Sequence, residues 1–297
     1  MRKSLISELR RLAALDDRIV LLVGDLGFSV IEDFQKERPD RVINLGVSEQ
    51  AAMSIAAGMS DKMLPVFYSI ANFSSFRCLE QIRNDVAHER NPVLIVSLGA
   101  GFAYGTAGYS HFGIEDAGAV AAISGMNVVT PSCIHELRDV ILRHVAQPTP
   151  TYLRLGREEL CEKCVPRYFS VNSEKVNSGC LVVGHGEIVR DVMEVCEEIN
   201  PEIPVISCPS FNRFASSELE FIEGFSHVIT VEEHMSASGF GTRLRSAIKS
   251  GLTQRFKSIG IWEDEFRVGG GREYHLSRFD LDKKGLRAQL EMEMAAK

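Results

Sequence analysis

Short, unbroken runs of apolar residues alternate along this chain with longer stretches of helical apolar spacing. No other feature so narrows the folds open to its 297 residues. Residues 19–23 read IVLLV, and 42–45, 64–67, 93–97, 126–129 and 152–155 are similar runs. A strand with one wet face alternates apolar and polar residues, whereas a strand without polar positions is buried on both faces. The intervening segments 4–15, 49–59, 75–88, 115–124 and 133–146 have helical character. In the first of them Leu5, Leu9, Leu12 and Leu15 recur at helical spacing. Buried strands separated by helices predict an α/β fold with a parallel, doubly wound sheet.

The rhythm breaks over residues 158–179, which are polar, contain Pro166 and show no clean period. It restarts on a smaller scale, with strands expected at 180–183, 205–207, 228–231 and 258–261. Helices are expected at 187–199, 217–224, 239–250 and 282–294. The reading is therefore two doubly wound α/β domains. A larger one spans residues 1–160, a linker 161–178, and a smaller one 179–297.

Composition sets outer bounds. The chain is 45% hydrophobic and 25% charged, as ordinary globular proteins are. Its 33 basic and 40 acidic residues give a net charge of −7, without the basic stripe that a general nucleic-acid binder needs. The first twenty residues lack the apolar centre of a leader, and no window of 18 apolar residues occurs. A cytoplasmic protein without membrane contact is expected. The seven cysteines are odd in number and irregularly spaced, unlike a disulfide framework. Cys161 and Cys164 form one CxxC without a second ligand pair, and read as chance thiols in the linker.

Three segments have the makings of a site. In VINLGVSEQ a buried strand ends, turns at Gly46 and opens a helix, with Ser48 as its expected N-cap and Glu49 in its first turn. Ligands of open α/β sheets sit at the carboxyl ends of strands, which places Glu49 at a site position. A first-turn acid favoured by the helix dipole is the plainer account. In LPVFYSIANFSSFR, Ile70, Phe73 and Phe76 recur every three residues among small polar residues. That suits a loop wrapping a flat ring, or equally an ordinary packed turn. In GAGFAYGTAGYSHFG, five glycines within fifteen residues predict a mobile loop delivering His111 just before a helix. An imidazole there can transfer protons or bind a hydroxyl or carbonyl, although a lone histidine is often structural.

Taken together, these segments resemble the pyrimidine-binding domain of thiamine-diphosphate enzymes of the transketolase group. GVSEQAAMSIAAGM is similar to that family's catalytic-glutamate helix. PVFYSIANFSSFRCLEQIRNDVAHERNPVLIV is similar to its aromatic pocket, GTAGYSHFGIEDAGAVAAISGMNVVTPS to its histidine loop, and YLRLGRE to its phosphate-side arginine segment. VITVEEHMSASGFGTRL and IGIWEDEFRVGGGREYHLSRFDLDKKGL resemble the family's carboxy-terminal domain, as in transketolase and deoxyxylulose-phosphate synthase.

The resemblance implies a transferase that moves a two-carbon ketol unit from a ketose, expected to be phosphorylated, to an aldehyde. It implies Glu49 as the carboxyl that bonds the cofactor's pyrimidine and favours its imino form, a task suited to a dry apolar pocket. Ile70, Phe73 and Phe76 would flank the pyrimidine ring, and Asp25 would lie near the cofactor across a subunit contact. His111 would face the substrate. Arg157, and with less definition Arg154, would grip a substrate phosphate. The family's Gly-Asp-Gly…Asn domain, which holds diphosphate and Mg2+, has no counterpart here, since Gly24-Asp25-Leu26 belongs to the pyrimidine domain. The chain thus resembles the second half of a split transketolase. It would need an amino-terminal, diphosphate-binding partner subunit and is expected to form a heterotetramer. Two departures concern the substrate channel. Ala107 stands where transketolases carry an aspartate four residues before the loop histidine, and no second histidine lies near Gly99. A 2-oxo-acid dehydrogenase beta subunit, a deoxyxylulose-phosphate-synthase-like enzyme and a non-catalytic scaffold subunit are the alternatives. A nucleotide site at Gly184-His185-Gly186 would lack the usual third glycine.

Overall fold

A computed structural model describes residues 2–156, 179–249, 254–262 and 266–295. The first sheet has six strands: β1 (Ile19–Val23), β2 (Val42–Asn44), β3 (Leu64–Ile70), β4 (Leu94–Leu98), β5 (Asn127–Val129) and β6 (Thr151–Leu155). Their order is β2-β1-β3-β4-β6-β5, and every pairing is parallel. The second sheet has four: β7 (Cys180–His185), β8 (Val205–Ser207), β9 (His227–Met235) and β10 (Arg255–Ile261). Their order is β10-β9-β7-β8, again all parallel. The expected α/β class and parallel sheets are therefore observed. The expected linker and the Cys161/Cys164 pair lie outside the described residues.

Strand β1 shows why an unbroken apolar run suits this architecture. Ile19, Leu21 and Val23 face the Arg2–Ala13 helix and pack with Leu5, Leu9, Leu12 and Phe34. Val20 and Leu22 face the other way, onto Ala52, Met53 and Ala56 of the Glu49–Met59 helix and onto Phe67. Both faces are covered, and each such side chain contributes roughly 1.5–3 kcal/mol by leaving water.

Some details differ from expectation. Strand β3 runs on to Ile70, and the aromatic segment behind it is helical: a single turn at Ala71–Ser74 and a 3-10 turn at Phe76–Cys78. The helix expected at 75–88 widens into a π-helix over Ile82–His88. Ser48 does not cap its helix with its side chain; its hydroxyl donates back to Leu45 O at 2.6 Å. Two short helices, Glu32–Glu37 and Arg272–Arg278, have no counterpart in the periodicity.

The two sheets share a seam of hydrogen bonds. Thr130 N–H donates to Pro209 O, Phe211 N–H to Val128 O, and Met235 N–H to Ile114 O, at 2.8, 2.9 and 2.8 Å. One apolar cluster runs through the seam, joining Val128 and Tyr152 to Ile206, Phe211 and Phe240.

Three deeply buried histidines make the fold sensitive to acid. Burial pushes His144 and His234 down to about 4 and His185 down to about 3. Unfolded, each would take up a proton near pH 6.5. As pH falls from about 6.5 to about 4 the unfolded chain therefore binds more protons, and stability falls. Glu232 opposes this in part. Burial raises it to about 7, so its folded form holds a proton that the unfolded chain releases. The expected result is a midpoint of urea unfolding that drops steadily between pH 6.5 and 4.5. A midpoint that stays level or rises over that interval would contradict these buried neutral imidazoles.

Candidate active site

Chain order reverses between β1 and β3, whose outward excursions run to β2 on one side and to β4 on the other. Such a switch point opens a crevice beyond the carboxyl ends of the strands. Several of the sequence-predicted residues converge there. Strand β1 is followed by Gly24 and Asp25, and Asp25 adopts a left-handed backbone, φ +53°. Asn44, at the end of β2, holds this turn. Its Oδ1 accepts from the N–H groups of Asp25 and Gly46, both at 3.0 Å, and its Nδ2 donates to Asp25 Oδ1 at 3.3 Å. Gly46 (φ +68°) makes the sharp bend that starts the next helix.

That bend sets Glu49 into the crevice with only 3% exposure. A Cβ at Gly24 would stand 3.8 Å from its Cγ, so the β1 end lies directly against it. Its Oε2 accepts a hydrogen bond from Arg77 Nη1 at 2.8 Å. The Arg77 guanidinium in turn lies over the Phe73 ring, 4.3 Å from the centroid. Phe73 meets the His111 ring edge-to-face at 5.2 Å. Glu49, Phe73 and His111 thus form one connected group, with Arg77 linking the first two.

The histidine loop is pinned rather than loose. Gly101 and Gly113 exchange both backbone hydrogen bonds, at 2.7 and 2.9 Å, and close the loop at its neck. Asn72 Nδ2 donates to Ser110 O at 3.0 Å, and the Ser110 hydroxyl lies 3.0 Å from His111 Nδ1. Ile70 and Phe76 are placed less centrally. Ile70 ends β3 half-buried, and Phe76 is 43% exposed. Phe76 lines an open cavity of about 590 Å³ with Asn72, Tyr109, Ser110, Glu115 and Met235. A second cavity of about 560 Å³, lined by Asn127, Arg143, His144 and Arg213, contains none of the sequence-predicted residues.

Arg154 is enclosed in β6. It is 2% exposed and forms an ion pair with the fully buried Asp116, Nε to Oδ1 at 3.1 Å. Its Nη2 donates to Gly113 O and to Glu233 O. Tyr152 adds a hydrogen bond to Asp116 Oδ2 at 2.8 Å. Burial alone would raise Asp116, but Arg154, His234, the Tyr152 hydroxyl and the Ala117 N–H outweigh it and hold the carboxyl below the usual range. With Nε and Nη2 so engaged, Arg154 ties the histidine loop at Gly113 to the second sheet at Glu233. Arg157 lies outside the described residues.

Arg77, Asn44 and Asp116 are the site residues that sequence reading missed. Signals for them existed: a lone cation directly after the aromatic triplet, an amide closing a buried strand, and an arginine within an otherwise enclosed one.

The sequence matches the family described as the transketolase pyrimidine binding domain over residues 1–163. The chain belongs to this family. It is 29% identical over 296 residues to one subunit of the apulose-4-phosphate transketolase of Phocaeicola vulgatus, covering 96% of this chain and 94% of that protein. It is likewise 29% identical to a putative transketolase C-terminal section of Methanocaldococcus jannaschii, covering 99% and 96%. Among solved structures, a split-gene transketolase described as an inactive β4 tetramer superposes with a TM-score of 0.81 at 25% identity, over 100% of this chain and 98% of that one. The resemblance read from the motifs, the fold class and the transketolase-type character are thus found. No group of three or more His, Cys, Asp or Glu side chains suited to a metal occurs among the described residues. Nor, among them, is any helix long and apolar enough to cross a membrane.

Proposed function

We propose that this chain is the pyrimidine-binding subunit of a split, thiamine-diphosphate-dependent transketolase, and that Glu49 is its catalytic acid. The observation that carries this is a carboxyl with 3% exposure at the sheet's switch point, linked through Arg77 to Phe73, whose ring meets His111 in a T-shaped contact.

The donor set fits an aminopyrimidine. A ring of that kind needs an aromatic face and one enclosed carboxyl; Phe73 and Glu49 would supply them once Arg77, which engages both, gives way. Diphosphate and Mg2+ would be held by a partner subunit. When bound, the cofactor would supply a nucleophilic carbon able to attack a ketone. The chain's own residues would do the rest. Glu49 would hold a proton at the pyrimidine ring nitrogen. Phe73, flanked by Ile70 and Phe76, would fix the ring plane. Asp25 would stand at the cofactor side of the β1 turn. His111 would bind the substrate hydroxyl or carbonyl and pass a proton to or from it. Arg157 would hold the substrate phosphate with a bidentate fork. Without a carboxylate at Ala107, the donor's hydroxyls would meet fewer polar partners than in transketolases that carry one. We place the complex in the cytoplasm as a heterotetramer.

The test is reconstitution. The purified chain is expected to bind thiamine diphosphate weakly by itself, and tightly with Mg2+ once combined with a subunit carrying Gly-Asp-Gly…Asn. Tight binding by the isolated chain, read by calorimetry, would overturn the split arrangement. In the reconstituted enzyme Arg157→Ala is expected to raise KM for a phosphorylated ketose at least about tenfold, the loss of one charge-assisted hydrogen-bonded pair. KM for a non-phosphorylated ketose should be unchanged, and equal effects on both would remove Arg157 from phosphate recognition.

A further inference from the structure

The glycine loop that carries His111 is held at its neck by a carboxylate from the other sheet. Glu233, in β9, accepts a hydrogen bond from the Phe102 N–H at 2.7 Å through Oε1. The same carboxylate takes Arg272 across its edge, Nη2 to Oε2 at 2.6 Å and Nε to Oε2 at 3.0 Å. Gly101 (φ +62°) lies so near that a Cβ there would overlap the Glu233 carboxylate.

Around this bond the loop is built in layers. Gly101 and Gly113 pair backbone to backbone immediately beside Phe102. The Phe102 ring stacks on His275 at 4.6 Å and meets Phe112 edge-on at 5.2 Å. Phe112 also meets His275, at 4.8 Å, and it is the residue that follows His111. Arg272 and His275 share one helix, Arg272–Arg278. Gly270 N–H donates to Gly105 O at 3.3 Å, within the loop itself. The second sheet and its helix therefore set the position of both residues that bracket the imidazole segment.

We infer that Glu233, aligned by Arg272, is a positioning residue that holds the Phe102–Phe112 segment and thereby fixes His111 over the crevice. Its function rests on the reading of His111 as the substrate-facing group. A charge-assisted bond from a rigid strand to a loop amide is worth more than a neutral one, and it defines an angle as well as a distance. Loop segments that deliver catalytic groups otherwise sit at the low-stability end of a fold.

The experiment uses the full chain. In Glu233→Ala, amides of residues 103–112 should exchange hydrogen at least tenfold faster, while those of β1 to β4 stay unchanged. The His111 imidazole signal, identified by its loss in His111→Gln, should shift or broaden. Glu233→Gln keeps an oxygen for the Phe102 N–H but loses the charge paired with Arg272, and its exchange should fall between those of the alanine variant and the parent chain, at least threefold above the latter. Should the alanine variant fail to fold, Glu233→Gln against the parent chain remains, with an increase of at least threefold expected. Loop exchange within twofold of the parent in the folded variant, or an unmoved His111 signal, would overturn the inference. In the reconstituted enzyme Glu233→Gln should lower kcat/KM, and add no further loss to His111→Gln; fully additive losses would overturn it as well. The underlying reading fails separately, if His111→Gln leaves kcat and KM unchanged.

Discussion

Glu49→Gln in the reconstituted enzyme is expected to lower kcat by about 10²–10⁴-fold, the span that a positioned acid or base contributes. The substitution preserves shape. A glutamine keeps an oxygen for the Arg77 guanidinium, which now bonds Glu49 Oε2 at 2.8 Å, and it still fills the enclosed space behind Gly24. What it loses is a proton that can be held at, and released toward, a pyrimidine nitrogen. Assembly should therefore survive while turnover does not. Steady-state rates together with sedimentation of the complex separate the two. A variant that retains more than about a tenth of the parent rate would remove Glu49 from the role of acid. Loss of the complex itself would mean instead that the residue is structural.

The second large effect concerns stability. Asp116→Ala is expected to cost roughly 3–5 kcal/mol, because it leaves the Arg154 guanidinium uncompensated in the interior. Asp116 is fully buried and Arg154 nearly so, and both lie where the two sheets meet. In a chain of this size that is a fall in Tm of on the order of 10 °C. Replacing both partners together, as Asp116→Leu with Arg154→Met, should recover part of the loss, since an apolar pair strands no charge. Denaturant titration of the single and double variants tests this. A single-variant loss below about 1 kcal/mol would show that the pair is not the seam's anchor. The carboxyl's pH dependence has a definite sign. Its folded value lies below that of the unfolded chain, so its stabilisation is complete above the unfolded value near pH 3.9. That stabilisation disappears as pH falls through the lower, folded value.

The legible and illegible parts of this fold divide on physical grounds. Strand β1 was legible because burial on both faces leaves no polar position in it, a constraint that acts locally. The Glu49–Met59 helix was legible to the residue, because Gly46 and an alanine-rich run bracket it. The Glu32–Glu37 helix was not. It buries only Phe34, and six polar-rich residues carry no period to detect. The aromatic triplet reads as a wrapping loop or a packed turn, and the structure makes it two short helical turns, since Ala-Asn and Ser-Ser weaken helical spacing while one-turn helices tolerate them. Arg154 is a different case. The family resemblance implies a place for it near a substrate phosphate. Yet its strand is buried at all five positions, and an arginine there must find an internal anion. Asp116 was the available one, but only the three-dimensional path of the chain brings it near. The Arg77–Glu49 bond likewise depends on two strand ends meeting.

That last contact changes what affinity would mean at this site. Arg77 rests on the face of Phe73 and satisfies Glu49, so the crevice carries a tenant of its own. A flat ring that took the same face of Phe73 and the same carboxyl would displace this cation as well as water. The free energy measured for such a ligand is then a difference between two occupancies. Part of it would be set by how comfortably the evicted arginine is rehoused.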